Sequence, residues 1–147
     1  MTARAIPEAT NEQVQTAVTK TLVAQFTIRG EPVSKERART TKTGHTYTPQ
    51  KTVDGEAAVL AAYLQSEPLG MVPKGILCEM ETTHYLGTKR ARDGDNMYKL
   101  VADALNGQAY ADDKQIIDGH FHVRFAGTRA EARTEVSLWM LTVGGAA

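Results

Sequence analysis

The segment from Asp93 to Gly107 constrains the fold more than any other part of the chain. Met97, Leu100, Val101, Ala104 and Leu105 recur at i, i+3, i+4, i+7 and i+8, so one apolar stripe runs down a helix. Asp95 or Asn96 stands where a short side-chain oxygen can accept a free backbone N–H of the first turn. Gly107 stands where a left-handed residue would close the helix. A helix with one apolar stripe must lie against something, and its neighbours read as strands. Ile76–Leu86 precedes it and Gln115–Phe125 follows. In the latter, Ile117, Phe121, Val123 and Phe125 share one side, and His120, His122 and Arg124 share the other.

The remaining elements fit the same scheme. From Leu22 to Arg29 the residues Leu22, Ala24, Phe26 and Ile28 alternate with others, the period of a half-buried strand. Asp54–Gln65 reads as a second helix with Ala57, Ala58, Leu60, Ala61 and Leu64 as its apolar face, and Pro68, Gly70 and Pro73 punctuate the chain after it. Glu135–Val143 is the last strand. The expectation is a single α+β domain over 21–147, a mixed sheet of about four strands with two main helices packed on it. Residues 1–20 have no clear period and read as an N-terminal arm.

Composition narrows the function classes. A chain of 147 residues with 41% apolar and 23% charged side chains is ordinary for one globular domain and excludes wholesale disorder. The single cysteine, Cys78, rules out an internal disulfide and a multi-cysteine zinc site. It reads as a small buried hydrophobe in a reducing, cytoplasmic setting. The longest apolar run, Ala57–Leu64, is too short to span a bilayer, and Glu8, Asn11, Glu12 and Gln13 interrupt any signal core. No phosphate-binding glycine loop or dinucleotide fingerprint occurs, so no nucleotide cofactor is expected.

Seventeen basic residues balance seventeen acidic ones, which taken whole argues against nucleic acid. The charges are sorted along the chain, however. Residues 29–51 carry a balance of +4 and residues 52–88 a balance of −4. Lys35, Arg37, Arg39 and Lys42 lie in a Gly- and Pro-containing loop from Gly30 to Gln50 that also holds Tyr47, placed to stack on a base or pack under the loop. Lys89, Arg90 and Arg92 form a second basic turn, immediately followed by Asp93 and Asp95.

Asp93 and Asp95 thus stand at the start of the central helix, and Asp112 and Asp113 beyond its end. A helix of about eleven residues is roughly 16 Å long, so the pairs meet only if the chain after Gly107 returns along it. Carboxylates brought together repel unless a cation neutralises them, and hard oxygen ligands suit Mg²⁺ or Mn²⁺. Such an ion can activate water and stabilise charge on a phosphate, with Lys99 adding positive charge nearby. Taken singly, each motif is more simply read as helix-cap or turn chemistry. His120 and His122 are expected as partly exposed strand residues rather than a ligand pair, and Trp139 as core or dimer interface.

Together these segments resemble a known family. Gly30–Arg39 and Tyr47–Thr52 are similar to the N-terminal signature of RusA-like Holliday junction resolvases. Arg92–Lys99 resembles that family's catalytic motif, and Asp103–Gly107 and Tyr110–Ile116 follow in the family's order. The resemblance covers about 100 residues, from Phe26 to Val123. It implies a homodimeric, Mg²⁺- or Mn²⁺-dependent endonuclease, bacterial or phage-encoded, that cuts four-way DNA junctions by paired nicks. It places Asp93, Asp95 and Asp113 on the essential carboxylates, Asp112 as the adjacent acid and Lys99 as the catalytic lysine. Asn96 matches a polar position beside the metal site. Phosphate contacts would fall to Lys35, Arg37, Arg39, Lys42, Lys89, Arg90 and Arg92. One departure is Gly94, where the family usually has an aliphatic residue between the two aspartates. A flap- or fork-cutting nuclease and a non-catalytic DNA-binding protein on the same scaffold are the alternative readings.

Overall fold

A computed structural model describes residues 18–143. In chain order the elements are β1 (Val18–Arg29), β2 (Arg39–Thr40), β3 (Thr46–Tyr47), α1 (Gln50–Gln65), β4 (Leu77–Leu86), α2 (Gly94–Leu105), β5 (Ile116–Phe125) and β6 (Arg133–Val143). Short 3-10 turns lie at Asp113–Gln115 and Arg129–Glu131. The main sheet has the order β1-β6-β4-β5, with β6 antiparallel to both neighbours and β4 parallel to β5. It is the expected α+β domain with a mixed four-stranded sheet and two helices. No helix among the described residues is long and apolar enough to cross a membrane.

Parallel strands need a crossover, and α2 supplies it between β4 and β5. Its predicted stripe is the one buried: Leu100, Val101 and Leu105 join Cys78, Met80, Val136 and Leu138 in one core, and Met97 is fully buried as well. Truncating one such leucine to alanine should cost about 2–5 kcal/mol. Gly107 has φ +79°, the left-handed closing residue the pattern required. The cap, however, is Asp93 rather than Asp95 or Asn96. Its Oδ1 accepts the Asp95 N–H at 3.1 Å and its Oδ2 accepts the Asn96 side-chain amide at 2.9 Å. The helix starts two or three residues early because Gly94 can sit beneath Phe121 and Val123. A Cβ at Gly94 would stand 2.6 Å from the Phe121 ring.

Other boundaries and faces differ from the sequence expectation. β1 begins at Val18, because Val18–Thr21 pair with Met140–Val143 of β6, so part of the expected arm is strand. Residues 1–17, the rest of that arm, lie outside the described residues. A bulge between Leu22 and Ala24 breaks the alternation of β1. Val23 and Ala24 are both buried, while Leu22 is exposed beside Trp139 on the face without helices. Trp139 is half-buried there, under the Lys20 ammonium 4.1 Å from its ring. In α1 the buried stripe is Thr52, Gly55, Val59 and Tyr63, whereas Ala57, Ala58, Ala61 and Leu64 are exposed and Leu60 is half-buried. Apolar residues occur on most sides of α1, so their spacing did not single out the face. Gly55 decides it, because a Cβ there would stand 3.0 Å from Val33 and 3.2 Å from Leu100. Cys78 is fully buried, and burial pushes its thiol up to about 11.

The helices cover one face of the sheet and leave the other open. Thr82, His84 and Thr134 lie on the covered face, where burial first and the charge of His122 second push His84 down to about 4. Its Nε2 lies 2.9 Å from Thr82 Oγ1, so the neutral ring keeps a partner. At the sheet edge, Ile117, Phe121 and Phe125 point to the helix side yet stay exposed. The helix packed on β5 is α2, with Tyr98 against Gly119 and Phe121.

Candidate functional site

Asp95, Lys99 and Asp113 line one open cavity of about 300 Å³, together with Tyr98, Asp103 and Gly119. Asp95 comes from the first turn of α2, and Lys99 and Asp103 follow one and two turns later. Asp113 comes from beyond the helix end, so the chain does return as the spacing required. Two devices bring it back. The buried Tyr110 hydroxyl donates to the Ala102 carbonyl at 2.7 Å, folding the post-helix turn against α2. The buried Gln115 amide donates to the carbonyls of Pro73 and Ile76 at 2.9 and 2.8 Å, pinning the next turn to the strand entry.

The two remaining aspartates serve mainly as caps. Asp93 holds the first turn of α2 and lies at the edge of a different pocket, with Arg90 and Arg92. Asp112 caps the Asp113–Gln115 turn through the Lys114 N–H at 2.9 Å, and Gln115 Oε1 accepts the Asp112 N–H at 3.0 Å. The hydrogen bond from the Lys114 N–H holds the Asp112 carboxyl below the usual carboxylate range. Asp113 shifts upward, first through burial and then through the neighbouring Asp112 and Asp103 carboxyls. Burial, with Asp113 and Asp118 nearby, also drives the Tyr98 hydroxyl up to about 12. The cavity is thus crowded with negative charge.

Asp103 is the carboxylate that spacing did not flag as a ligand, although it shares a helix face with Lys99. Its Oδ2 lies 3.2 Å from Lys35 Nζ, which also meets Glu56 at 2.8 Å. Burial alone would lower the Lys35 ammonium, but Glu56 and Asp103 outweigh it and raise it. Lys35 therefore ties the basic loop to both helices instead of standing free for phosphate. Arg92 is similarly engaged, with the Pro32 carbonyl at 3.1 Å, Ser34 Oγ at 3.2 Å and Glu31 at 3.8 Å. Arg37, Arg39, Lys42, Lys89 and Arg90 are exposed, with Arg39 3.7 Å from Glu36. Tyr47 is 42% exposed on the β2–β3 hairpin of the same loop, open to stacking.

A second set of ligand-type side chains lies on the open face. Glu79, Asp118 and His120 bring one ligand atom each within 4.8 Å of one another, a spacing that could hold a cation. Among the described residues no other group meets that spacing, the Asp93, Asp95, Asp112 and Asp113 set included. The strand register creates the cluster by setting Glu79 beside Asp118 across the β4–β5 pair. His120 Nε2 is 2.8 Å from Asp118, and Glu79 meets Lys20 at 3.1 Å. The neighbouring His122 is 3.0 Å from Glu81. Sequence pointed to the two histidines as strand residues but gave no sign of their carboxylate partners, because those on β4 are some forty positions away.

A family model described as Endodeoxyribonuclease RusA matches residues 29–138 of the chain. No curated protein matches it.

Proposed function

The chain belongs to the RusA endodeoxyribonuclease family, and from that premise we propose a divalent-metal-dependent, homodimeric enzyme that resolves four-way DNA junctions by paired nicks. One observation carries this reading: Asp95 and Lys99 of α2 and Asp113 from beyond the helix end line a single open cavity. Its donor set is carboxylate oxygen, with Asp113 raised by burial first and by the Asp112 and Asp103 carboxyls second, and so fits a hard cation. Asp95 and Asp113, with Asp103 beside them, would hold Mg²⁺ or Mn²⁺. When bound, that ion supplies Lewis-acid stabilisation of a phosphate and a lowered pKa for water.

The chain's own groups do the positioning. Asp93 fixes the helix turn that carries Asp95, and Asp112 fixes the turn that carries Asp113, so each pair works as one ligand and one support. The Lys99 ammonium enters the same cavity, where it stabilises the negative charge that builds on the phosphate or leaving oxygen. Arg37, Arg39, Lys42, Lys89 and Arg90 hold the DNA backbone, which sets position without reading sequence. Lys35 and Arg92 act one step back, shaping the loop that presents them. Gly94 replaces the family's aliphatic residue without loosening the site, since Phe121 and Val123 fill the space a side chain would take.

Paired nicks need two centres, which a two-fold dimer provides. The apolar end of the open sheet face, with Leu22, Leu77 and Val143 exposed around Trp139, is the surface such a dimer would cover. A cleavage assay on a synthetic four-way junction beside linear duplex and flap DNA, with and without Mg²⁺, tests the reading. Symmetric, Mg²⁺-dependent nicking of the junction is the expected result. Preference for the flap would redirect it to a flap or fork nuclease, and binding without cutting to a DNA-binding protein.

A further inference from the structure

The loop Thr88–Arg92 has a pocket on each side, and the two differ in chemistry. One, of about 730 Å³, is lined by Lys51, Arg90 and Arg129 beside Glu31 and Asp93, with Arg92 already turned to Glu31 and Ser34, and its exposed cations can meet a phosphate. The other, of about 460 Å³, lies between the loop and the end of β5. Leu86, Val123 and Phe125 form its apolar side, and Lys89, Arg90 and Arg124 supply cations. Phe125 is 46% exposed at the sheet edge, with the Lys89 ammonium 5.6 Å from its ring centre.

An aromatic floor ringed by cations describes a ligand that is flat and carries negative charge beside its flat part. A nucleotide has that form: its base offers a π-face, and its phosphates meet the cations. Phosphate alone would leave the apolar floor without purpose. Arg90 and Arg92 border both pockets, so a strand whose phosphates pass on one side of the loop can set a base into the other.

We propose that this groove receives one unstacked nucleotide of the DNA branch, its base stacked on Phe125. The inference rests on the reading of the chain as a junction nuclease and deepens it by naming what recognises the branch. Bases in a continuous duplex remain stacked, whereas extrusion costs least where pairing is already interrupted. Phe125 therefore discriminates branched from linear DNA and ignores sequence. The arriving base takes the place of the Lys89 ammonium over the ring and frees it for the adjoining phosphate.

The test compares Phe125→Leu, which keeps apolar bulk without a π-face, and Phe125→Trp, both checked for an unchanged melting temperature. Binding is measured in EDTA, so that the DNA stays whole. Phe125→Leu should weaken junction binding about tenfold, the scale of one base–aromatic stack, with duplex binding changed less than twofold. Phe125→Trp should restore the preference, and junction, but not duplex, should quench the emission of the new indole. Equal loss on both DNAs, or full junction preference in Phe125→Leu, overturns the proposal. If the unaltered chain cuts no DNA while the quench and the preference persist, the nuclease reading fails and the stacking site stands. If nicking is intact and Phe125→Leu changes nothing, only the stacking site fails.

Discussion

The two faces of the sheet each gather carboxylates, and they do so on opposite terms. On the open face, Glu79, Asp118 and His120 sit on neighbouring strands whose register sets the spacing, and close counter-groups answer their charge. Lys20 meets Glu79, and His120 meets Asp118. On the covered face, Asp95, Asp103 and Asp113 arrive from a helix and a turn; Lys35 answers Asp103, while burial first and the Asp112 and Asp103 carboxyls second raise Asp113. The tighter cluster is the better neutralised one. Proximity of ligand atoms and unanswered charge thus point to different faces, and on the proposed reading the cation's gain at Asp95 and Asp113 is the repulsion it removes.

The sharpest way to break this comparison is to neutralise one carboxylate on each face. Asp95→Asn should lower single-turnover nicking of a junction by about 10³-fold or more, the several kcal/mol a phosphate-bound ion contributes. Glu79→Gln should stay within about twofold. Equal losses would remove the distinction between the faces, and a loss confined to Glu79→Gln would make the open-face cluster the working one.

The faces also treat imidazole differently. His120 and His122 stand beside carboxylates near solvent, whereas His84 is sealed among Thr82 and Thr134. A histidine held near 4 when folded and near 6.5 when unfolded supports the fold fully above pH 6.5. That support is lost as pH falls, because the unfolded chain then binds more protons. Urea unfolding should give about 2 kcal/mol less stability at pH 5 than at pH 7. His84→Leu should flatten that slope.

Smaller effects follow from charge already spent. Asp113→Asn, measured in EDTA, should hold junction DNA as tightly as the parent or a few-fold more tightly, since it removes a charge that repels phosphate. A large loss of affinity would instead assign Asp113 to folding. Lys42→Ala should reduce the salt slope of DNA binding by about 1. Lys35→Met should leave the slope nearly unchanged, because Glu56 and Asp103 already occupy that ammonium.

How far the sequence could be read depended on whether a feature was periodic. The α2 stripe, its closing Gly107 and the central strands were legible, since repeating apolar spacing encodes which side is buried. The β1 bulge was not, because one extra residue shifts Leu22 to the opposite face without altering composition. Nor was the face of α1, which Gly55 sets by close approach rather than by hydrophobicity. In the site, the family motif marked Asp93, Asp95, Lys99, Asp112 and Asp113, but only the folded chain separates the aspartates that cap from those that line the cavity. Lys35 and Arg92 looked like free cations because their partners, Asp103, Glu56 and Glu31, lie on other elements.

The position of β6 has a consequence for the order of assembly. The last described strand in the chain is an interior member of the sheet, bonded on one side to β1 and on the other to β4. Gln25 and Ser137, joined across β1 and β6 at 3.0 Å, are 112 positions apart. Until β6 is synthesised, β1 has no partner in this sheet and one flank of β4 is bare. Such distant pairing slows folding, because loop closure must precede the contacts that reward it. A ribosome-bound chain that stops short of β6 therefore has no finished floor beneath α2, and cutting activity should emerge only after that strand is released.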